Sequence, residues 1–251
     1  MSDFGPLLFA RYAYPPNRLG LCGPEDAAAV RESALAGAAR EMRHLAEGFE
    51  GAYPYLRLIA NENGIADPLD PRVVEGYWIG NALTRRVREG ALYGDIEARF
   101  RSRMARPEWR WTERAMNGGG APLHAFHVFE IYPRVGLLRG GDSDLVPTID
   151  ACRIRPGILV AEAGDDLVVR TSRLEMVDGL LRLGPPLIER VRNPWPATGP
   201  MTGPAPGDAL SLHWGWACGR LSPTQVRRLE AWTAFAIANA NHVPGGSRIG
   251  A

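Results

Sequence analysis

The chain has 251 residues, nearly half of them apolar, so it can bury one good core or two small ones without staples. Charge is almost balanced, at 29 basic against 28 acidic residues, which gives no electrostatic footprint for nucleic acid, and every basic residue is arginine, which excludes lysine Schiff bases and Walker-type lysines. Three cysteines, Cys22, Cys152 and Cys218, lie far apart with no CxxC spacing, and no leader-like or membrane-spanning apolar run is seen, so a reduced, cytoplasmic, non-membrane setting is expected.

Taken in order, the N-terminal "FARYAYPPNRLGLCGPED" puts Cys22 on a loop near a helix start, where amides and the helix dipole lower a thiol pKa; a plain helix-entry turn is the other reading. Residues 25 to 46 follow a Gly-Pro and carry Val30, Leu35, Ala38, Met42 and Leu45 at helical spacing, which predicts an amphipathic helix. Further helices are predicted at about 53–63, 71–89, 91–104 and 122–138, separated by "DPLDP", "REG" and "NGGGAP". The first half is therefore expected to be all-helical.

Within the last of these segments, "PLHAFHVFEIYPRVGLLR", Pro122 can open a helix on which His124, His127 and Glu130 form a polar stripe. Such a stripe can bind a metal or relay protons; a hydrogen-bonded buried network is the other reading of the same residues.

From Cys152 to Arg192 the pattern changes to β-branched and leucine-rich runs broken at "AGDD", "VDG" and "LGPP", which predicts short strands in a small meander or barrel. The stretch 193–208, "NPWPATGPMTGPAPGD", is expected to be a loop or lid. The end has a Ser222 cap, Pro223 at the first helical position and apolar spacing at Val226, Leu229, Trp232 and Ala236, so it closes as a helix. The fold class expected is α+β: a helical domain over 1–148, then a small β-barrel with a C-terminal helix over 149–251.

"CRIRPG" at 152–157 has the form C-x-x-x-P-G, and "GDALSLHWGWA" at 207–217 has Gly-Asp, four residues, His, any residue, Gly, an aromatic and Ala. Together they resemble the motifs of the small hydrogenase assembly chaperones of the HypC/HupF type. The resemblance covers about the last hundred residues, and it departs where Cys152 is internal rather than N-terminal and where the Phe-Gly-Gly turn is missing. "FARYAYPPNRLGLCGP" and "HAFHVFEIYPRVGLL" also resemble an uncharacterised bacterial family encoded near nickel-iron hydrogenases.

Read on chemistry alone, Cys152 and His213 brought together can hold iron, a soft thiolate with a borderline imidazole, in a two-ligand carrier site. The resemblance implies that the cargo is the iron fragment bearing cyanide and carbon monoxide. It likewise implies that the partners are a hydrogenase large-subunit precursor and other maturation proteins, and that the chain is a chaperone, not an enzyme. The other functions in play are a metal-dependent enzyme using the His124, His127 and Glu130 stripe and a non-metal interaction module; no G-x-S-x-G, HExxH, G-x-G-x-x-G or P-loop is present. Cys218, five residues past His213, reads as core, and the aromatics Trp214, Trp216 and Trp232 read as packing or a partner-facing patch.

Overall fold

The computed structural model describes residues 3–135, 145–193 and 203–241. The first helix, α1 (Phe4–Asn17), was given no range from the sequence; it ends ahead of Cys22 and carries Pro15 and Pro16 in its last turn. Residues 25–46 form two helices, not one: α2 (Ala27–Ala36), capped by Asp26, ends at Gly37 in the left-handed conformation, and α3 (Ala39–Glu47) restarts beyond it. Then follow α4 (Tyr53–Glu62), α5 (Pro71–Ile79), α6 (Ala82–Arg86), α7 (Glu89–Phe100) and α8 (Arg106–Asn117). The helix α8 was not expected from the sequence. Of the segment expected as a helix over 122–138, residues 136–138 lie outside the described residues; the rest holds a single turn, α9 (His124–Phe126), then a π turn over His127–Ile131 and a 3-10 turn over Tyr132–Arg134.

Helix α10 (Leu145–Cys152) contains residue 148, the division expected between the two halves, and leads into the strands. These are β1 (Arg155–Ala163), β2 (Asp166–Thr171), β3 (Leu174–Val177), β4 (Leu180–Leu183), β5 (Leu187–Arg192), β6 (Ala209–His213) and β7 (Trp216–Arg220). Most of the stretch 193–208 expected as a loop or lid lies outside the described residues. Helix α11 (Pro223–Asn241) starts as expected: Ser222 Oγ accepts from the Gln225 amide at 3.3 Å, and the Gln225 side chain accepts from the Ser222 amide at 2.8 Å.

The expected fold class, with a small barrel standing behind the helices, is corrected. What forms is an N-terminal helical region, a small five-stranded sheet that closes on itself against the helices, and a C-terminal helix. Strands β1-β2-β5-β7-β6 follow one another, with β6 antiparallel to β1, but β5 and β7 meet through one parallel pair, Arg192 with Trp216. Strands β3 and β4 leave the others for a separate two-stranded sheet. Five short strands enclose too little apolar surface to be filled on their own account. Leu159, Val169, Leu210 and Leu212 instead share one buried cluster with Phe9, Tyr55 and Trp78 of the helices. A smaller cluster joins Val128 and Phe129 to Ile149, Leu174, Leu181 and Ala236. At its edge the Asn241 side chain both donates to and accepts from the Leu181 backbone, at 2.8 Å each.

The passage from α10 into β1 is held by a buried ion pair. Asp150 Oδ1 accepts from Arg153 Nε at 2.9 Å and from the Leu174 amide at 2.9 Å, while Arg153 also donates to the Ser172 carbonyl at 2.7 Å. Both side chains are buried. Removing the carboxylate strands a buried guanidinium and an amide, so Asp150→Ala should lower unfolding free energy by about 3–5 kcal/mol. Urea denaturation read by tryptophan fluorescence measures this; a loss under about 1 kcal/mol would show that water reaches Arg153.

Candidate metal centre

Three side chains from distant parts of the sequence meet on one cavity wall. His124 opens α9, Cys152 ends α10, and His213 ends β6; their ligand atoms all lie within 4.8 Å of one another. Cys152 Sγ is 3.9 Å from His124 Nε2, and the two imidazole centroids are 5.2 Å apart. A tetrahedral metal with N and S ligands at roughly 2.0–2.3 Å sets ligand atoms about 3.3–3.8 Å apart, so small side-chain adjustments close the set.

The backbone places Cys152 beside His213 directly. The β6–β7 hairpin turns through Trp214 and Gly215, both at positive φ (50° and 75°), and the Trp214 amide donates to the Ala151 carbonyl at 2.8 Å. A tryptophan in that conformation carries strain of about 1–2 kcal/mol. Its indole N–H is buried with no hydrogen-bond partner, on the cavity wall close enough to Cys152 to favour the thiolate.

His213 is oriented by α1. In that helix the Tyr12 carbonyl would ordinarily accept from the amide of residue 16, which is Pro16 and has no N–H. His213 Nδ1–H donates to this free carbonyl at 2.7 Å, so the proton is on Nδ1 and the lone pair on Nε2. Nε2 is buried and has no hydrogen-bond partner. Such an atom between a thiol and a second imidazole fits a metal ligand, with a backbone carbonyl as its outer support.

His124 is placed by aromatic packing. Trp78 lies with its centroid 4.7 Å from His124 and 5.8 Å from His213, and stacks on Tyr12 at 5.3 Å. His124 Nε2–H donates to the Cys152 carbonyl at 2.8 Å, and Nδ1 is 3.3 Å from the Tyr77 hydroxyl. Ligation through Nε2 requires the proton on Nδ1. Tyr77 can accept it there, because its own hydroxyl has the Gly51 carbonyl 3.4 Å away as an alternative acceptor.

Burial lowers the pKa of all three histidines of this region: His124 to about 4, His127 to about 3, and His213 well below its ordinary value, so they are neutral at pH 7. Burial pushes the Cys152 thiol up to about 12, so a metal must displace its proton on binding.

The remaining expected site residues fall differently. His127 lines the same cavity but bonds to Tyr55 and stands outside the cluster. Glu130 is not in the site: it accepts from Trp111 Nε1 at 2.7 Å and pairs with Arg134. The stripe is broken by the π turn, which widens the helix so that a three-residue step no longer lands on one face. Cys22 lines the cavity mouth on an exposed loop, ahead of α2 rather than at its N-terminus, and its thiol is pushed up by desolvation against the cavity wall, not lowered. Cys218 is buried packing, as expected. Sequence reasoning missed Tyr77, Trp78 and the Tyr12–Pro16 step; only the adjacent prolines in "YAYPP" signalled a free carbonyl.

The family model for a family of unknown function, DUF6390, matches residues 1–245. The chain belongs to the DUF6390 family. No curated protein and no solved structure matches it. None of these comparisons ties the DUF6390 chain to hydrogenases or to HypC-type chaperones, so the chaperone vocabulary expected from its two motifs is withdrawn. The expectation that it is not an enzyme is corrected as well, because a buried His/Cys/His cluster suited to hold a metal ion is consistent with catalytic or cofactor chemistry. No helix among the described residues is long and apolar enough to cross a membrane.

The neutral histidines also set the acid response. Below the unfolded value of 6.5 the unfolded chain takes up protons that the fold refuses down to about 4 at His124 and about 3 at His127. Stability should therefore be full above pH 6.5 and fall as pH drops towards 4, by up to roughly 1.4 kcal/mol per pH unit for each histidine. Urea midpoints from pH 7.5 to 4.5 measure the slope; a flat profile would show the imidazoles to be hydrated.

Proposed function

We propose that this chain is a metal-dependent enzyme with a mononuclear centre formed by His124, Cys152 and His213. One observation carries the reading: three convergent ligand atoms sit on the wall of a cavity of about 390 Å³. Three protein ligands beside a cavity is the pattern of a catalytic metal, whereas structural sites are closed by a fourth. Two further features support residence over transfer. The ligands come from α9, α10 and β6, so release would disturb several elements, and His213 is held from behind by Tyr12.

One thiolate with two neutral imidazoles suits zinc, which we assign to the site; iron, implied by the chaperone resemblance, uses the same donors and would be recognised by elemental analysis. A bound divalent ion supplies Lewis acidity and a nucleophile at neutral pH. The chain's own groups exclude bulk water through Phe49, Trp78 and Phe100 and hold the His213 proton on Nδ1, away from its ligand atom, while the His124 proton moves to Nδ1 opposite the Tyr77 hydroxyl on ligation.

Purified protein should bind one equivalent of Co(II) with a thiolate charge-transfer band. Cys152→Ala should abolish the band, and His124→Ala or His213→Ala should weaken uptake at least tenfold, while Cys22→Ser leaves both unchanged. Cobalt binding that survives Cys152→Ala with its spectrum intact would sink the assignment.

A second expectation follows from α1. Pro16→Ala restores an amide that competes with His213 for the Tyr12 carbonyl, and so frees the wrong tautomer. Metal affinity should fall about 10–100-fold, the range for outer supports of a ligand, while the folded state is kept. Competition with a chromogenic chelator reads the affinity, and circular dichroism reads the fold.

A further inference from the structure

The cavity holds a second set of polar groups that the metal centre does not use. His127 Nδ1 is 3.3 Å from the hydroxyl of Tyr55, a fully buried residue for which His127 is the one acceptor among the described contacts. A buried hydroxyl must donate, so its proton goes to Nδ1 and the imidazole carries its own hydrogen on Nε2. Nε2 faces the cavity beside Gly51, where even a Cβ would lie only 3.5 Å from it, and it has no protein partner among the described residues.

Arg99 fixes this arrangement from behind. Its guanidinium lies 4.5 Å from the Tyr55 ring centroid, held by Asp95 at 2.8 Å and the Glu50 carbonyl at 3.1 Å. Arg103 is exposed and lines the cavity from its open side; it stacks loosely on Phe100 at 5.9 Å and pairs with no carboxylate among the described residues. Burial first, then His124, Arg99 and Arg103, keeps His127 uncharged, so it serves as a neutral donor. The one carboxylate residue in the lining, Glu50, is exposed. Apart from the metal-centre residues, Cys22 and the tyrosines Tyr77 and Tyr132, the lining is mainly apolar or aromatic, with Phe49, Trp78, Val128 and Val135 among it.

We propose that this cavity takes a small organic carboxylate, held by His127 Nε2–H and the Arg103 guanidinium, with its apolar body against the aromatic wall. The proposal deepens the enzyme reading by naming the substrate class. Two donors match the two oxygens of a carboxylate, whereas a phosphate would bring further charged oxygens into apolar surroundings without partners. The volume, about 390 Å³, is at the small end of ligand pockets, which run from roughly 300 to 1,000 Å³.

Trp78 and Trp214 line the cavity, so tryptophan fluorescence reports binding with or without metal. Benzoate, neutral benzamide and phenyl phosphate are titrated into metal-free and cobalt-loaded protein. Benzoate should bind at least tenfold more tightly than benzamide and more tightly than phenyl phosphate. Arg103→Gln and Gly51→Ala should each weaken benzoate about tenfold and leave benzamide unchanged; Gly51→Ala covers Nε2 without removing the acceptor of Tyr55. Equal binding of benzoate and benzamide, tighter binding of phenyl phosphate, or a benzoate preference that survives both substitutions overturns the proposal. Cobalt uptake without carboxylate preference would leave the metal centre standing alone, and carboxylate preference without cobalt uptake would leave the ligand class and remove the metal.

Discussion

The hydrogen bond from His213 Nδ1 to the Tyr12 carbonyl joins residues 201 positions apart, and the architecture around the site depends on it. A carbonyl freed inside a helix by proline must find a donor when buried. An imidazole supplies one and in doing so directs its other nitrogen towards Cys152 and His124. The same contact seats α1 against β6, where the Tyr12 hydroxyl and Ser211 Oγ also meet at 2.9 Å. Local helix chemistry, long-range packing and ligand tautomer are thus settled by one bond.

Around that bond the protein keeps three imidazoles and a thiol uncharged by burial. Desolvation of this kind is costly for ions and cheap for neutral donors, so the site gathers metal-binding groups without mutual repulsion. Trp214 Nε1 and His213 Nε2 are buried on the cavity wall without hydrogen-bond partners, and Trp214 also has a positive φ. Two buried charged pairs, Asp150 with Arg153 and Arg155 with Glu189, lie outside the cavity.

Part of this was legible in the sequence. The Ser222 cap, Pro223 and the apolar spacing beyond them encode α11 locally, and the turn signals between 152 and 192 mark strands. The motifs around Cys152 and His213 singled out two of the three clustered residues. His124 was singled out too, but in company with His127 and Glu130, because the sequence shows a three-residue period and not the π turn that breaks it. Helix α1 was hidden by Tyr14-Pro15-Pro16, since adjacent prolines read as a breaker unless they fall in a last turn.

What the sequence determined by itself is whatever rests on neighbours a few residues apart: helix caps, turns at positive φ, the switch from a helical to a strand pattern, and a chemistry of thiol and imidazole without lysine. Tertiary structure decided which of those groups meet. Cys152 reaches His213 through the Trp214 amide on the Ala151 carbonyl, His124 reaches both across Trp78, and Glu130 is turned away to Trp111. It also decided that five short strands rest on the helices instead of standing alone, because their apolar faces are completed only in a core shared with Phe9, Tyr55 and Trp78. Contacts of that kind depend on burial and on bonds across the whole chain, and no local pattern of residues specifies them.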